Sequence, residues 1–208
     1  MTRQALQASC RLSWFSAIAL LALALPWSTR TDAHDHDHHN TAEIDTQKIH
    51  ARSIPDVSLT DQSGHQVRFS TDLLRRRPAL ISFIYTRCTT TCPLVGATVA
   101  TVAEKLHADP EKLAIVSISI DPEYDTPERL LEWRKLYGDI PQWTLLTGPK
   151  REINQLLRAL GGYSPNLEDH SEILLVGPNA SGEWVRMSSL ADWEKVAAEV
   201  RAAALTDR

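Results

Sequence analysis

The chain has 208 residues, 43% hydrophobic and 23% charged. That suffices for one well-buried domain of about 150 residues with appendages and argues against two. The formal net charge is −4, which speaks against a basic groove for nucleic acid, so no nucleic-acid partner is expected. Arg75-Arg76-Arg77 is the only basic run, and it is expected to solvate a helix end rather than to bind phosphate.

Residues 1–33 read as an export signal. Arg3 and Arg11 precede an apolar run from Leu12 to Leu25, Pro26 follows, and small residues arrive near Ala33. The run is shorter than the roughly 20 apolar residues of a spanning helix, which favours a cleaved signal, with an uncleaved anchor and membrane association as the alternative. Cleavage would remove Cys10 and bring the net charge to about −6, as Arg3, Arg11 and Arg30 leave with Asp32. Export would place Cys88 and Cys92 in an oxidising compartment, where a close pair forms a disulfide unless a reductant or a metal holds it open.

Residues 34–53 begin with His34-Asp35-His36-Asp37-His38-His39, lack apolar periodicity and are expected to be a disordered tail. From Pro55, the alternation of Val57 and Leu59, a turn at Gly64, and the alternation of Val67 and Phe69 predict a β-hairpin. A short helix is expected at Thr71–Leu74. Pro78–Tyr85 reads as a central strand covered on both faces. After Pro93, a first-turn residue, Val95, Val99, Val102 and Leu106 recur at helical spacing.

Leu113–Ile120 predicts a second buried strand. Thr126-Pro127-Glu128 starts a helix that runs through Leu130, Leu131, Trp133 and Leu136 to Gly138. Trp143–Leu146 reads as a strand and Arg151–Leu160 as a helix stopped by Gly161-Gly162. A hairpin of Ile173–Val176 and Trp184–Met187 turns through Pro178-Asn179-Ala180-Ser181-Gly182, and a helix through Trp193, Val196 and Val200 closes the chain. This order predicts an α/β fold: a thioredoxin-like sandwich with a mixed central sheet, an N-terminal β-hairpin extension and helices on both faces, over 54–205.

The chemistry centres on Cys88-Thr89-Thr90-Thr91-Cys92-Pro93, where a buried strand hands over to a helix. This spacing lets both sulfurs converge on a disulfide or on one metal ion. Cys92, just ahead of Pro93, holds the helix N-terminus, where backbone N–H groups lower a thiol pKa, so Cys92 is expected to be the activated thiol. A purely structural disulfide is the plainer alternative, although so small a loop constrains the unfolded chain little. His170, in Glu168-Asp169-His170-Ser171, is the best candidate third ligand, on a loop able to fold over the thiols. Two thiolates and an imidazole suit copper, since sulfur holds Cu(I) and imidazole accommodates Cu(II). Zinc in a Cys₂His site with water is the rival.

His34, His36, His38 and His39 form an imidazole-rich arm able to bind copper or zinc loosely, or simply a polar tail. His50, His65 and His107 stand alone and are expected to be solvated. Thr126 is expected to cap its helix, and Asp121, at a strand end, to approach the thiol loop.

With Cys88-x-x-x-Cys92-Pro93 behind an apolar strand, Ser119-Ile120-Asp121-Pro122-Glu123-Tyr124-Asp125-Thr126-Pro127, and Asp169-His170-Ser171, the chain resembles the Sco/SenC family of copper chaperones over residues 52–205. The resemblance implies a thioredoxin-like fold at the periplasm or outer face of the cytoplasmic membrane, with copper, Cu(I) or Cu(II), held by Cys88, Cys92 and His170. It also implies service to the copper centre of cytochrome c oxidase, as copper donor, as reductant of that centre's cysteines, or both. The implied partners are an oxidase subunit or another copper-enzyme client, a copper donor protein and a thiol reductant. Two departures bear on the client: Thr89 stands where many members have proline, and the N-terminal apolar run is short where many keep an anchor.

These residues support two function classes. One is an exported copper chaperone that passes its ion on by ligand exchange. The other is a thiol–disulfide oxidoreductase using Cys88 and Cys92 as a redox pair without metal. A peroxidase is a weaker third, for want of arginine or threonine residues placed to activate a peroxidatic cysteine.

Overall fold

The computed structural model describes residues 46–50, 54–138, 140–168 and 172–205. Among these described residues there are eight strands: β1 (Gln47–His50), β2 (Ser58–Asp61), β3 (Gln66–Arg68), β4 (Ala79–Ile84), β5 (Ala114–Ser119), β6 (Trp143–Thr147), β7 (Ile173–Gly177) and β8 (Glu183–Ser188). Four α-helices accompany them: α1 (Cys92–Lys105), α2 (Pro127–Lys135), α3 (Lys150–Leu160) and α4 (Trp193–Leu205). The strands form one sheet in the order β1-β8-β7-β4-β5-β6-β2-β3. β4, β5 and β6 are parallel, and every other neighbouring pair is antiparallel. This is the mixed-sheet, thioredoxin-like α/β sandwich expected from the sequence, with β2 and β3 as its hairpin.

β4 and β5 read as continuous apolar runs because the sheet is covered on both sides at their positions. Successive side chains point to opposite faces. Leu80, Ile84 and Ile115 pack with α1, α4, Leu130 and Trp133 of α2. Ala79, Ile81, Phe83, Val116 and Ile118 pack with α3 and the Phe69–Leu74 turn. Ser82 and Ser117 fall on the α1 face, where their hydroxyls bond to each other and the Trp143 indole N–H donates to Ser117 at 2.9 Å. The polar residues in these strands are therefore satisfied rather than orphaned.

Two local expectations change. Thr71–Leu74 belongs to a wider turn, Phe69–Leu74, in which the Arg75 N–H reaches five residues back to the Ser70 carbonyl at 3.0 Å. Asp56 holds that turn, accepting the Ser70 and Thr71 N–H groups at 2.9 and 3.1 Å. Arg75 and Arg77 donate to the carbonyls of Asp72 and Leu73, so the basic run solvates a helical end as expected.

The second change concerns the tail expected to be disordered over 34–53. Gln47–His50 instead forms β1, antiparallel to β8, with Gln47 opposite Arg186. Backbone groups make this pairing along an otherwise open strand edge, so it leaves no mark in side-chain periodicity. His34, His36, His38 and His39, like the whole of 1–33, lie outside the described residues. Among the described residues no helix is long and apolar enough to cross a membrane.

Candidate metal and thiol site

The site is built where β4 ends and α1 begins. The parallel neighbour β5 runs out at the same level, with Ile84 opposite Ser119, so the segment following each strand meets the other. Asp125 fastens them. It is 1% exposed and accepts the Thr86 N–H at 3.2 Å, the Thr86 hydroxyl at 2.5 Å and the Ser119 hydroxyl at 2.6 Å. Burial raises its pKa most, and the hydrogen bonds from Ser119 and Thr86 only partly offset that.

Next along the chain, Arg87 donates to the Asp121 carboxylate at 2.5 Å and stacks on the Tyr124 ring at 4.3 Å. Asp121 thus approaches the thiol loop as expected, through Arg87. Thr126 caps α2 as expected, accepting the Arg129 N–H at 3.4 Å.

Cys88 and Cys92 are both buried free thiols. The Cys88 sulfur accepts the Cys92 N–H at 3.3 Å and has the Thr90 and Thr91 hydroxyls at 3.7 and 3.8 Å. Burial raises the Cys88 pKa, but the hydrogen bonds from the Cys92 side chain, the Cys92 and Thr90 backbone and the Thr90 hydroxyl outweigh it, bringing the thiol down to about 6. For Cys92 burial dominates, the bond to Cys88 adds to it, and the thiol is pushed up to about 12.

This reverses the expectation that Cys92 is the activated thiol. Cys92 does open α1, but its side chain turns into the core with no exposure, and its own N–H donates to Cys88. The helix terminus therefore serves the neighbouring sulfur.

Two tyrosines adjoin the pair. Tyr85 follows β4, and burial, then the charge of Cys88, raises its pKa. Tyr137 is pushed up to about 12 by burial and then by the charges of Cys92 and Cys88. Its ring lies so close to Gly96, one turn along α1 from Cys92, that a Cβ there would collide with its Cζ. Trp133 and Trp143 complete that wall, with ring centroids 4.8 and 5.7 Å from Tyr137. The sequence reading missed Thr90, Thr91, Asp125 and both tyrosines. Asp125 stood inside a motif already singled out, whereas nothing in the sequence marks Tyr137.

His170, with Asp169 and Ser171, lies outside the described residues. On one flank of that segment β7 pairs with β4, Leu174 opposite Ser82, and the Glu172 carbonyl accepts the Ser189 N–H at 2.9 Å. On the other flank the charge of Glu168 acts on Tyr85. Among the described residues no group of three or more His, Cys, Asp or Glu is placed to hold a metal. His65 lies 3.4 Å from the Asp61 carboxylate and is 77% exposed, away from the thiols. A hollow of about 660 Å³ lined by Arg77, Lys112 and Arg201 lies by Pro78, at the opposite end of β4 from the thiols, and includes none of the site residues.

A family model described as SCO1/SenC matches residues 45–204. The chain is similar to the SCO1 protein homolog of Bacillus subtilis (strain 168), 33% identical over 137 residues that cover 61% of this chain and 69% of that protein. Among solved structures, Bradyrhizobium japonicum ScoI with copper bound is 27% identical with a TM-score of 0.54, over 70% of this chain and 96% of that one. BsSco, described as a member of the Sco family of cytochrome c oxidase assembly proteins, is 22% identical with a TM-score of 0.62, over 79% of this chain and 98% of that one. The last likeness is one of fold.

Proposed function

The chain belongs to the SCO1/SenC family, and from that premise we propose that it is an exported copper chaperone whose Cys88, Cys92 and His170 hold one copper ion. The observation that carries the proposal is the thiol pair itself: Cys88 on the loop ahead of α1 and Cys92 at its first position, with the Cys92 N–H donating to the Cys88 sulfur at 3.3 Å. Soft sulfur donors fit Cu(I), and a thiol acidified to about 6 sheds its proton for a metal at neutral pH. His170 is proposed as the third ligand because the segments on either side of it, through Glu168 and the β7–β4 register, adjoin the same end of β4. Copper is cargo here rather than a resident cofactor, and a client's ligands displace the sulfurs one at a time without electron transfer.

The client is proposed to be a copper-enzyme subunit, that of cytochrome c oxidase first. Residues 1–33 are proposed as the export signal, 54–205 as the copper domain, and His34, His36, His38 and His39 as an auxiliary weak metal site. The place of action is the periplasm or the outer face of the cytoplasmic membrane. Metal analysis of the reduced full chain after equimolar copper loading tests the reading. Near-stoichiometric copper is expected, lost in Cys88→Ser and in Cys92→Ser, with His170→Ala weakening Cu(II) binding far more than Cu(I) binding. Copper retention unchanged in both cysteine variants would sink the proposal.

The asymmetry of the two thiols favours a second use. The Cys88 thiolate attacks one sulfur of a client disulfide, forming a mixed disulfide and releasing one client thiolate. Cys92 then gives up its proton and attacks the Cys88 sulfur, releasing the second client thiolate and leaving a Cys88–Cys92 disulfide. The client gains two electrons and this chain loses two. Turnover that survives His170→Ala but not Cys88→Ser identifies this chemistry.

A further inference from the structure

The sulfur of Cys88 has one N–H donor and two hydroxyls around it, and as a thiolate it can only accept from them. The Cys92 N–H lies at 3.3 Å, and the hydroxyls of Thr90 and Thr91 stand at 3.7 and 3.8 Å. Thr91 is the residue preceding α1, a position where a threonine hydroxyl ordinarily accepts a bond from the first helical turn. Here it makes no such bond, and its backbone is already helical at φ −88° and ψ −37°. The hydroxyl is turned to the sulfur instead. Thr89 belongs to the same Thr-Thr-Thr run, is exposed, and makes no described contact with either sulfur.

On the premise that Cys88 holds copper, we infer that the Thr90 and Thr91 hydroxyls set the oxidation state the bound copper prefers, and that they favour Cu(I). Hydrogen bonds to a coordinated thiolate draw electron density from sulfur, and hydrogen bonding around a cysteine ligand is a known lever on copper potential. Cu(II) depends on sulfur donation more than Cu(I) does, so donors at the sulfur penalise the oxidised ion. Thr90 and Thr91 are thus positioning residues that act through Cys88 without touching the metal.

The test uses the full chain with copper alone as ligand, comparing Thr89→Val, Thr90→Val, Thr91→Val and the Thr90→Val/Thr91→Val pair. Valine keeps the branched shape and removes only the hydroxyl donor. The quantity read is the ratio of Cu(I) to Cu(II) affinity, from competition titrations with a chelator for each ion. The double valine variant is expected to lower that ratio about tenfold, equivalent to about 59 mV for one electron. Thr89→Val should match the wild type, and so should the Thr90→Ser/Thr91→Ser pair, which keeps both hydroxyls.

An unchanged ratio in the double valine variant overturns the inference while leaving the copper reading intact, and so does an equal shift in Thr89→Val. A wild-type chain that binds no copper at its cysteines overturns both, so the two failures are distinguishable. Thermal denaturation of each variant guards against a folding defect. A ratio that falls in step with Tm, and falls as far in the Thr90→Ser/Thr91→Ser pair, also counts against the inference.

Discussion

Cys88 and Cys92 share one short loop yet stand at opposite ends of thiol acidity, because Cys88 receives the hydrogen bonds and Cys92 is buried behind it. A thiol near 6 is mostly thiolate at pH 7, whereas one near 12 is almost wholly protonated. Iodoacetamide is therefore expected to label Cys88 first in the reduced chain. The labelling rate should fall as pH drops through about 6, where the thiolate takes up its proton. Cys92 should stay slow from pH 6 to 9. Peptide mapping by mass spectrometry after timed quenching separates the two, and faster modification of Cys92 would refute the assignment. The asymmetry would also order the proposed disulfide exchange, with attack falling to the Cys88 thiolate and resolution to the protonated Cys92.

At the scale of elements, the thiol loop is fixed mainly by the segment between β5 and α2 rather than by its own residues. Asp125 crosses from that segment to hold the Thr86 N–H and hydroxyl, two residues ahead of Cys88. Asp125→Ala would strand those donors and the Ser119 hydroxyl in a buried place. The expected cost is about 1–3 kcal/mol of stability, with a looser loop as the second consequence. A urea titration measures the first, and a slower or biphasic labelling of Cys88 reports the second. A variant with unchanged stability and unchanged labelling would show that the loop stands without this tie.

The same elements show what a sequence can disclose. The β2–β3 hairpin, the Thr126 cap and the strand-to-helix position of the cysteines all arise from local residue types, and each was legible. β1 was not, because its pairing with β8 uses backbone groups that carry no residue signature. Nor was the direction in which Cys92 points. A helix-terminal cysteine has two outcomes, and only packing against Val95, Trp133 and their neighbours decides that its sulfur faces the core.

For the molecule as a whole, the decisive feature is that one pair of strands, β4 and β5, serves two cores. The face toward α1 and α4 carries the cysteines and the Trp133–Tyr137–Trp143 cluster, and the opposite face rests on α3. Because alternate residues of the same strands belong to different cores, neither face can melt while the other keeps its backbone. Leu156 of α3 is fully buried on the face away from the thiols. Leu156→Ala is expected to cost about 2–5 kcal/mol through lost burial and the cavity left behind. At about 2–4 °C per kcal/mol for a domain of this size, Tm should fall by about 4–20 °C. Near-ultraviolet circular dichroism follows the buried aromatic rings, chiefly Trp133, Tyr137 and Trp143 on the thiol face with Trp184 on the other, and far-ultraviolet circular dichroism follows the whole sheet. The two should report one coincident transition in the variant, shifted together, while Cys88 labelling below the transition stays at the wild-type rate. Tryptophan signals that outlast the loss of sheet structure would mean that the two cores unfold independently. In that case the thiol site would owe its stability to its own face alone, and damage on the α3 side would leave it standing.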